Sequence, residues 1–421
     1  MSGLDGRCLG PLAPDPGQRT ARCRLVLATV AAVRVALVCP YSLSIPGGVQ
    51  SQVLGLARAL RRQGHEARVL APCDGPPPDH SVIPLGRSIP FSANGSVAPV
   101  APDPACALRT VRALANEGFD VVHLHEPLVP GPTLTALLTT ELPVVGTFHR
   151  CGYSRAYRVL GPLVRWVATR VDRRCAVSVD ARATAVAALG GDYTVVPNGV
   201  EPERFGRAAP WPTAGPTIVF VGRHEPRKGL ATLLDAFDLL PDDTRLWVAG
   251  DGPQSAELQA RCTSSRVEWL GRINDAEKAS RLRGADVYVA PSEHGESFGV
   301  VLLEAMAAGT AIVASDLRGY RLVARAGIDA LLVPPGDAPA LAEALAQVLD
   351  NRRLAEKLAA AGLARAAEFA MERVAGRYAE LYAELLGNGA GGASHLSRLG
   401  PARMIRWARG ASWALRPGQE P

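Results

Sequence analysis

From Val33 onward the chain alternates short apolar, β-branched runs with helical patterns, and it does so twice over. No other feature narrows the fold as much. The runs are nearly continuous in hydrophobic residues rather than alternating inside and outside, which suits parallel strands buried by helices on both faces. In the first series they fall at 33–39, 66–71, 82–85, 120–125, 144–149, 175–179 and 193–196, and in the second at 217–222, 245–249, 267–270, 286–290, 311–314 and 330–333. Between strands, Val53, Leu56, Ala57 and Leu60 repeat at helical spacing with Gly64 placed to end the helix, and 230–240, 338–349 and 352–369 carry the same pattern.

A chain of 421 residues exceeds what one hydrophobic core organises, so the two series read as two doubly wound α/β domains. The expected division is a first domain at 33–205, a second at 216–370 and a final helix at 371–386. The polar stretch 201–215, with Pro202, Pro210 and Pro212, is expected to connect them. Arg22 and Arg24 precede an apolar stretch, yet Arg34 interrupts it and the residues from Val35 are needed for the first core strand; 1–32 is therefore expected to be a disordered leader, not a secretion signal. The end of the chain, 387–421, sets Arg398, Arg403, Arg406, Arg409 and Arg416 around Trp407 and Trp413, which reads as a loosely ordered basic tail or, alternatively, a membrane-surface helix.

A net charge of +6 fits phosphate-bearing ligands or an anionic membrane face as well as it fits a plain Arg-rich surface. Nucleic acid is disfavoured, because no Lys/Arg run is interleaved with aromatics. Eight cysteines lack the short paired spacings of a zinc or redox site, so reduced thiols and a cytoplasmic setting are expected. No stretch approaches the roughly 20 apolar residues of a membrane span. Any membrane contact, at the inner face of the plasma membrane, would then be peripheral.

Three constellations carry the chemistry. Ile45-Pro46-Gly47-Gly48-Val49-Gln50 follows a buried strand and opens a helix; a helix tip free of side chains at Gly47 and Gly48 lets a diphosphate approach the main-chain amides. The spacing is not a dinucleotide fingerprint, which disfavours an oxidoreductase. Gly222-Arg223-His224-Glu225-Pro226-Arg227-Lys228-Gly229 follows the first strand of the second series and puts Arg223 and Lys228 toward the cleft, where fixed cations neutralise a leaving nucleoside diphosphate. Other enzymes assign that task to a metal held by Asp-x-Asp; this chain has no Asp-x-Asp, and no metal or other cofactor is expected. Lys228 is one of only three lysines, with Lys278 and Lys357.

The third and most specific is Gly295-Glu296-Ser297-Phe298-Gly299 followed by Glu304. Glu296 on the loop can accept bonds from sugar hydroxyls, Glu304, about two turns into the helix, from a ribose diol, and the amides of Phe298 and Gly299 can meet a phosphate oxygen. His149 ends a strand of the first sheet and should stand at the carboxyl edge where ligands of doubly wound folds collect. A metal triad of His123, His125 and Glu126 is conceivable by period two, but strand-end histidines more often satisfy hydrogen bonds.

At these residues the sequence resembles the family 4 retaining glycosyltransferases, among them the phosphatidylinositol mannosyltransferases of actinobacteria. The resemblance covers 34–385 and is carried by VCPYS, IPGGVQSQVLGLA, HLHEP, GTFH, VPNGV, GRHEPRKG and GESFGVVLLEAMAAGTAIVASD. It implies a GT-B architecture of two Rossmann-like domains across a cleft. It further implies metal-independent transfer, with retention, from a nucleotide diphosphate sugar such as GDP-mannose to a phosphoinositide-like or other polyol acceptor. By matching position, Gly48, Arg223, Lys228, Glu296, Phe298, Gly299 and Glu304 would contact the donor. Lys228, Arg223, Glu296 and His149 would form the catalytic group, with His149 beside the anomeric carbon. Tyr41, Gln50, Asn94 and Arg150 would face the acceptor. The acceptor side departs from the family: a hydroxyl-rich, Lys-containing run is here Arg150-Cys151-Gly152-Tyr153-Ser154-Arg155, Pro99 and Ala93 replace an Arg and a Tyr, and the Lys-rich helix of the first domain retains only Arg109 and Arg112. A UDP-sugar transferase with a soluble acceptor, or a non-catalytic nucleotide-sugar binder, are the alternatives.

Overall fold

The structure is a computed structural model that describes residues 32–93, 96–151 and 161–389. Two parallel sheets organise it. The first has the order β3-β2-β1-β6-β7-β8-β9. Its strands are β1 Arg34–Val38, β2 Glu66–Ala71, β3 Val82–Pro84, β6 Val121–His125, β7 Val144–Phe148, β8 Arg173–Ala176 and β9 Thr194–Val195. The second has the order β12-β11-β10-β13-β14-β15. It is built from β10 Thr217–Val221, β11 Arg245–Ala249, β12 Val267–Gly271, β13 Val287–Ala290, β14 Ala311–Ser315 and β15 Leu331–Val333. A separate antiparallel pair, β4 Ile89–Ala93 and β5 Ser96–Val100, falls where the sequence pattern predicts no strands.

The central strands are buried from end to end: β6 and β7 expose none of their residues, nor do β13 and β14. That is why their sequences lack the period of two. Strand order reverses between β1 and β6 in the first sheet and between β10 and β13 in the second. At such a switch point the loops leave in opposite directions and open a crevice beyond the carboxyl ends of the strands.

The segment between the sheets departs from the expected loop. Pro202–Gly206 is a short helix, and Val200 and Phe205 are buried in the core of the second domain with Leu302, Met306 and Ala366. The expected first-domain boundary at 205 therefore runs a few residues too far, because apolar Val200 and Phe205 find their burial against the second sheet's helices. The final helix, Met371–Gly389, returns to the first domain, burying Val374, Ala375, Tyr378 and Tyr382 with Val53, Leu56 and Leu60 of the opening helix Gly48–Arg62. Backbone bonds between Val200 and Phe369 (2.9 Å) and between Met371 and Val200 (2.7 Å) tie the two interdomain crossings together. The expected leader, apart from Ala32, and the basic tail beyond Gly389 lie outside the described residues.

Candidate active site

Four loops converge where the two switch points face one another. In the first domain, β1 runs into a turn that ends at Gly47, the extended N-cap of the helix Gly48–Arg62, and no side chain caps that helix. Gln50 is buried and donates through Nε2 to the carbonyls of Ile45 (3.1 Å) and Ser42 (3.3 Å), so it braces the turn. A methyl group at Gly47 would collide with Gln50, whereas one at Gly48 would meet open space. The exposed amide tip that the sequence reading requires for a phosphate is thus held open at Gly48. Tyr41 is half-buried and pairs through its backbone with Val100. Asn94 lies outside the described residues.

His149 follows β7 directly. Its backbone N–H donates to Glu126 Oε1 at 2.7 Å, and its Nε2 lies 2.9 Å from His125 Nδ1. Burial lowers its pKa to about 4, against a raising hydrogen bond from Asn198, so the ring is neutral near pH 7. His123, one register earlier on β6, uses both ring nitrogens on Tyr382 and Thr147, each at 2.7 Å. The conceivable metal triad of His123, His125 and Glu126 is thus a hydrogen-bonded cluster, and among the described residues no group of three such side chains is arranged to hold an ion. Arg150 is half-buried beside His149, close enough to Glu126 to lower its pKa against a dominant rise from burial.

The second domain supplies charge. Pro226–Lys228 forms a short helical turn closed by Gly229 at φ 66°, where a β-carbon would sit 2.0 Å from the carbonyl oxygen of Pro291. Only glycine allows that approach. It sets Lys228 against the loop after β13, and Lys228 Nζ meets Glu296 Oε1 at 2.5 Å. Ser292 donates to the same oxygen at 3.1 Å, and Arg227 approaches to 3.5 Å. Burial pushes the Glu296 carboxyl up, but Lys228, Arg227 and Ser292 outweigh it and hold the pKa below the ordinary range. Arg223 pairs with the buried Glu225 at 3.0 Å, and Arg227 with the same carboxylate at 2.9 Å, so three cations share two carboxylates around one mouth. Phe298 is buried in the second core and Gly299, at φ 91°, turns the chain into the helix Val300–Ala308, again with no side-chain cap.

Glu304 stands just over one turn into that helix rather than two, because the helix starts at Val300. It faces a pocket lined in part by Arg58, Glu201, Asp275 and Lys278, and Lys278 Nζ bonds to it at 2.8 Å. The sequence reading missed this pairing, although the rarity of lysine pointed at Lys278. It also missed two contacts that join the domains across the cleft: the Cys151 N–H to Ser297 Oγ at 3.4 Å, and Arg318 to Asp180 at 2.7 Å. The first of these brings the segment after His149 against the segment after Glu296. His149 and Glu296 thus lie within two residues of one bridging contact, with Lys228 bonded to Glu296 and Arg223 joined to the same cluster through Glu225 and Arg227.

Residues 46–204 match the model described as Glycosyltransferase Family 4, and residues 203–365 the model described as Glycosyl transferases group 1. A phosphatidyl-myo-inositol mannosyltransferase of Mycobacterium tuberculosis (strain H37Rv) is 43% identical over 376 residues, covering 85% of this chain and 98% of the relative. Its counterpart in Mycobacterium leprae is 42% identical over 363 residues, covering 83% and 96%. A glycogen synthase of M. tuberculosis is 30% identical over 385 residues, covering 81% and 92%. Among solved structures, Anabaena HepE in complex with UDP-glucose superposes with a TM-score of 0.66 at 20% identity over 84% of this chain and 100% of that one. Sucrose-phosphate synthase from Thermosynechococcus elongatus gives 0.66 at 22% over 85% and 100%. At such identities the two structures speak to the fold alone.

Proposed function

This chain belongs to glycosyltransferase family 4, and from that premise we propose that it transfers mannose from GDP-mannose to a hydroxyl of a phosphatidylinositol-type acceptor, with retention and without a metal ion. The observation that carries the reading is the cluster of Lys228, Arg223 and Arg227 beside Glu296 and the uncapped helix start at Gly299. Cations and amides of this kind stabilise a departing diphosphate in a site from which water is largely excluded. In this scheme Glu296 orients the sugar hydroxyls, Glu304 takes the ribose, and Gly48 admits the diphosphate to the opposing helix tip. The leaving phosphate accepts the acceptor proton on the face where the new bond forms. Closure across Cys151 and Ser297 limits hydrolysis.

GDP-mannose is the donor consistent with the phosphatidyl-myo-inositol mannosyltransferase relatives. Lys278 and Asp275, in the pocket beside Glu304, offer a donor and an acceptor to the edge of a base. Of the acceptor residues, Tyr41 and Arg150, together with Asn94 from the sequence pattern, are proposed to meet the inositol phosphate; Gln50 contributes by holding the turn. Peripheral contact with an anionic bilayer is supported by the exposed Leu108 and Val111 next to Arg112 on the helix Pro104–Asn116. No helix of the described residues is long and apolar enough to cross a membrane.

The test is transfer of labelled mannose to phosphatidylinositol in anionic vesicles, run beside thermal shift with GDP-mannose, UDP-glucose and UDP-N-acetylglucosamine. A donor at a hundred times its dissociation constant adds about 2.7 kcal/mol. The reading expects that gain from GDP-mannose alone and unchanged transfer in the presence of a chelator. Stabilisation by a UDP-sugar instead, or transfer abolished reversibly by the chelator, overturns it.

A further inference from the structure

Two consecutive buried residues at the end of β6 both bond to His149, one to its ring and one to its main chain. His125 Nδ1 lies 2.9 Å from His149 Nε2, with the rings stacked at 5.2 Å. Glu126 Oε1 takes the His149 N–H at 2.7 Å. Glu126 is also the only non-glycine residue at positive φ, 53°, among those described. That conformation is strained for a residue with a β-carbon and persists only where the surroundings hold it. Here it turns the carboxylate back under the end of β7, while the Glu126 N–H still reaches Thr147 O at 2.8 Å.

The hydrogen bonds also fix where the ring protons sit. His125 has one ring nitrogen, Nε2, buried without a partner, so its proton belongs on the other, Nδ1, which donates to the lone pair of His149 Nε2. The proton of the neutral His149 ring is then on Nδ1. His125 Nε2 becomes a bare lone pair, buried with no partner. An orphaned acceptor is cheaper than an orphaned N–H, which the opposite assignment would bury in its place.

We propose that His125 and Glu126 are positioning residues, a two-point clamp that fixes both the tautomer and the main-chain placement of His149 at the rim of the transfer site. It engages the Nε2 of the His149 ring through His125 and the main-chain N–H through Glu126. The ring then serves as a fixed neutral wall beside the sugar and does not collect the acceptor proton. This rests on the transferase reading above, but its first test does not need turnover.

In protein labelled with 15N-histidine, two-bond proton–nitrogen spectra distinguish the tautomers. The clamp requires Nδ1–H for both His125 and His149, and Nε2–H at His149 refutes it. In the transfer assay, His125→Leu should lower kcat by about ten- to a hundredfold with the GDP-mannose KM within about twofold. His125→Asn, whose amide nitrogen replaces Nδ1–H, should recover to within about threefold of wild type. Glu126→Gln, which keeps one acceptor oxygen, should likewise outperform Glu126→Ala. Equal rates for Leu and Asn at position 125, whether slow or fast, overturn the clamp. If the Leu variant does not fold, the tautomers of the wild-type protein decide alone. A wild-type protein that folds with the stated tautomers yet transfers no mannose defeats the functional reading and leaves the clamp standing.

Discussion

Glu296 gathers Lys228, Arg227 and Ser292 around it, and what it does follows from these neighbours rather than from its charge alone. With Lys228 at 2.5 Å and Ser292 at 3.1 Å, it is held ionised in a partly buried mouth. In Glu296→Ala the sugar loses its orienting acceptor and Lys228 swings toward the diphosphate, so turnover should fall by roughly a hundredfold or more. Circular dichroism should show the fold retained, since Lys228 is still bordered by solvent. Wild-type turnover in that variant would remove Glu296 from the site. His123 gives a prediction of another kind: burial lowers its pKa from 6.5 to about 3. A lowered histidine stabilises the fold fully above its ordinary value. As the pH drops below about 6.5 the unfolded chain takes up a proton that the folded chain refuses, and stability declines by up to about 1.4 kcal/mol per pH unit for each such group. Calorimetry between pH 7.5 and 5 should therefore show Tm falling on acidification, and less steeply in His123→Gln.

Among the elements, the final helix does most to unite the molecule. Its Tyr378 and Tyr382 bury hydroxyls against the first sheet, Tyr378 at 2.9 Å from Thr147 Oγ1 and Tyr382 at 2.7 Å from His123 Nδ1. Polar groups this deep must be paired, so each tyrosine fixes the register of the helix on the sheet as well as adding apolar burial. Tyr382→Phe leaves a buried imidazole nitrogen unpaired and should cost about 1–3 kcal/mol in urea unfolding, with no change in m-value. The segment that feeds this helix is gripped in the same way: Gln52 bonds to both backbone groups of Gly199, at 2.8 and 2.7 Å, and Arg58 forks onto Glu201.

For the molecule as a whole, the cleft is bridged by contacts of modest strength, which is what an enzyme that must open and close requires. Arg318 is mostly exposed where it meets Asp180, so this pair adds at most about 1 kcal/mol. Asp180→Ala should raise donor hydrolysis relative to transfer by no more than about fivefold. The difference should shrink as salt is raised, because exposed charges are screened. A far larger effect, insensitive to salt, would mean that Asp180 acts on the substrates and not on closure.

The two-domain α/β fold could be read before any coordinates, because buried parallel strands need long apolar runs and those runs are local in sequence. The charged loops after β10 and β13 were legible for the same reason: glycine, Arg, Lys and Glu lie within a few residues of one another. What the sequence could not tell was which distant side chains meet. The partners of His149 at His125, Glu126 and Asn198, the pairing of Lys278 with Glu304, and the capture of Val200 and Phe205 by the second core all depend on chain segments that only packing brings together. Local sequence sets the elements and their chemistry; the closing of two sheets on a shared cleft decides which of those groups share a hydrogen bond.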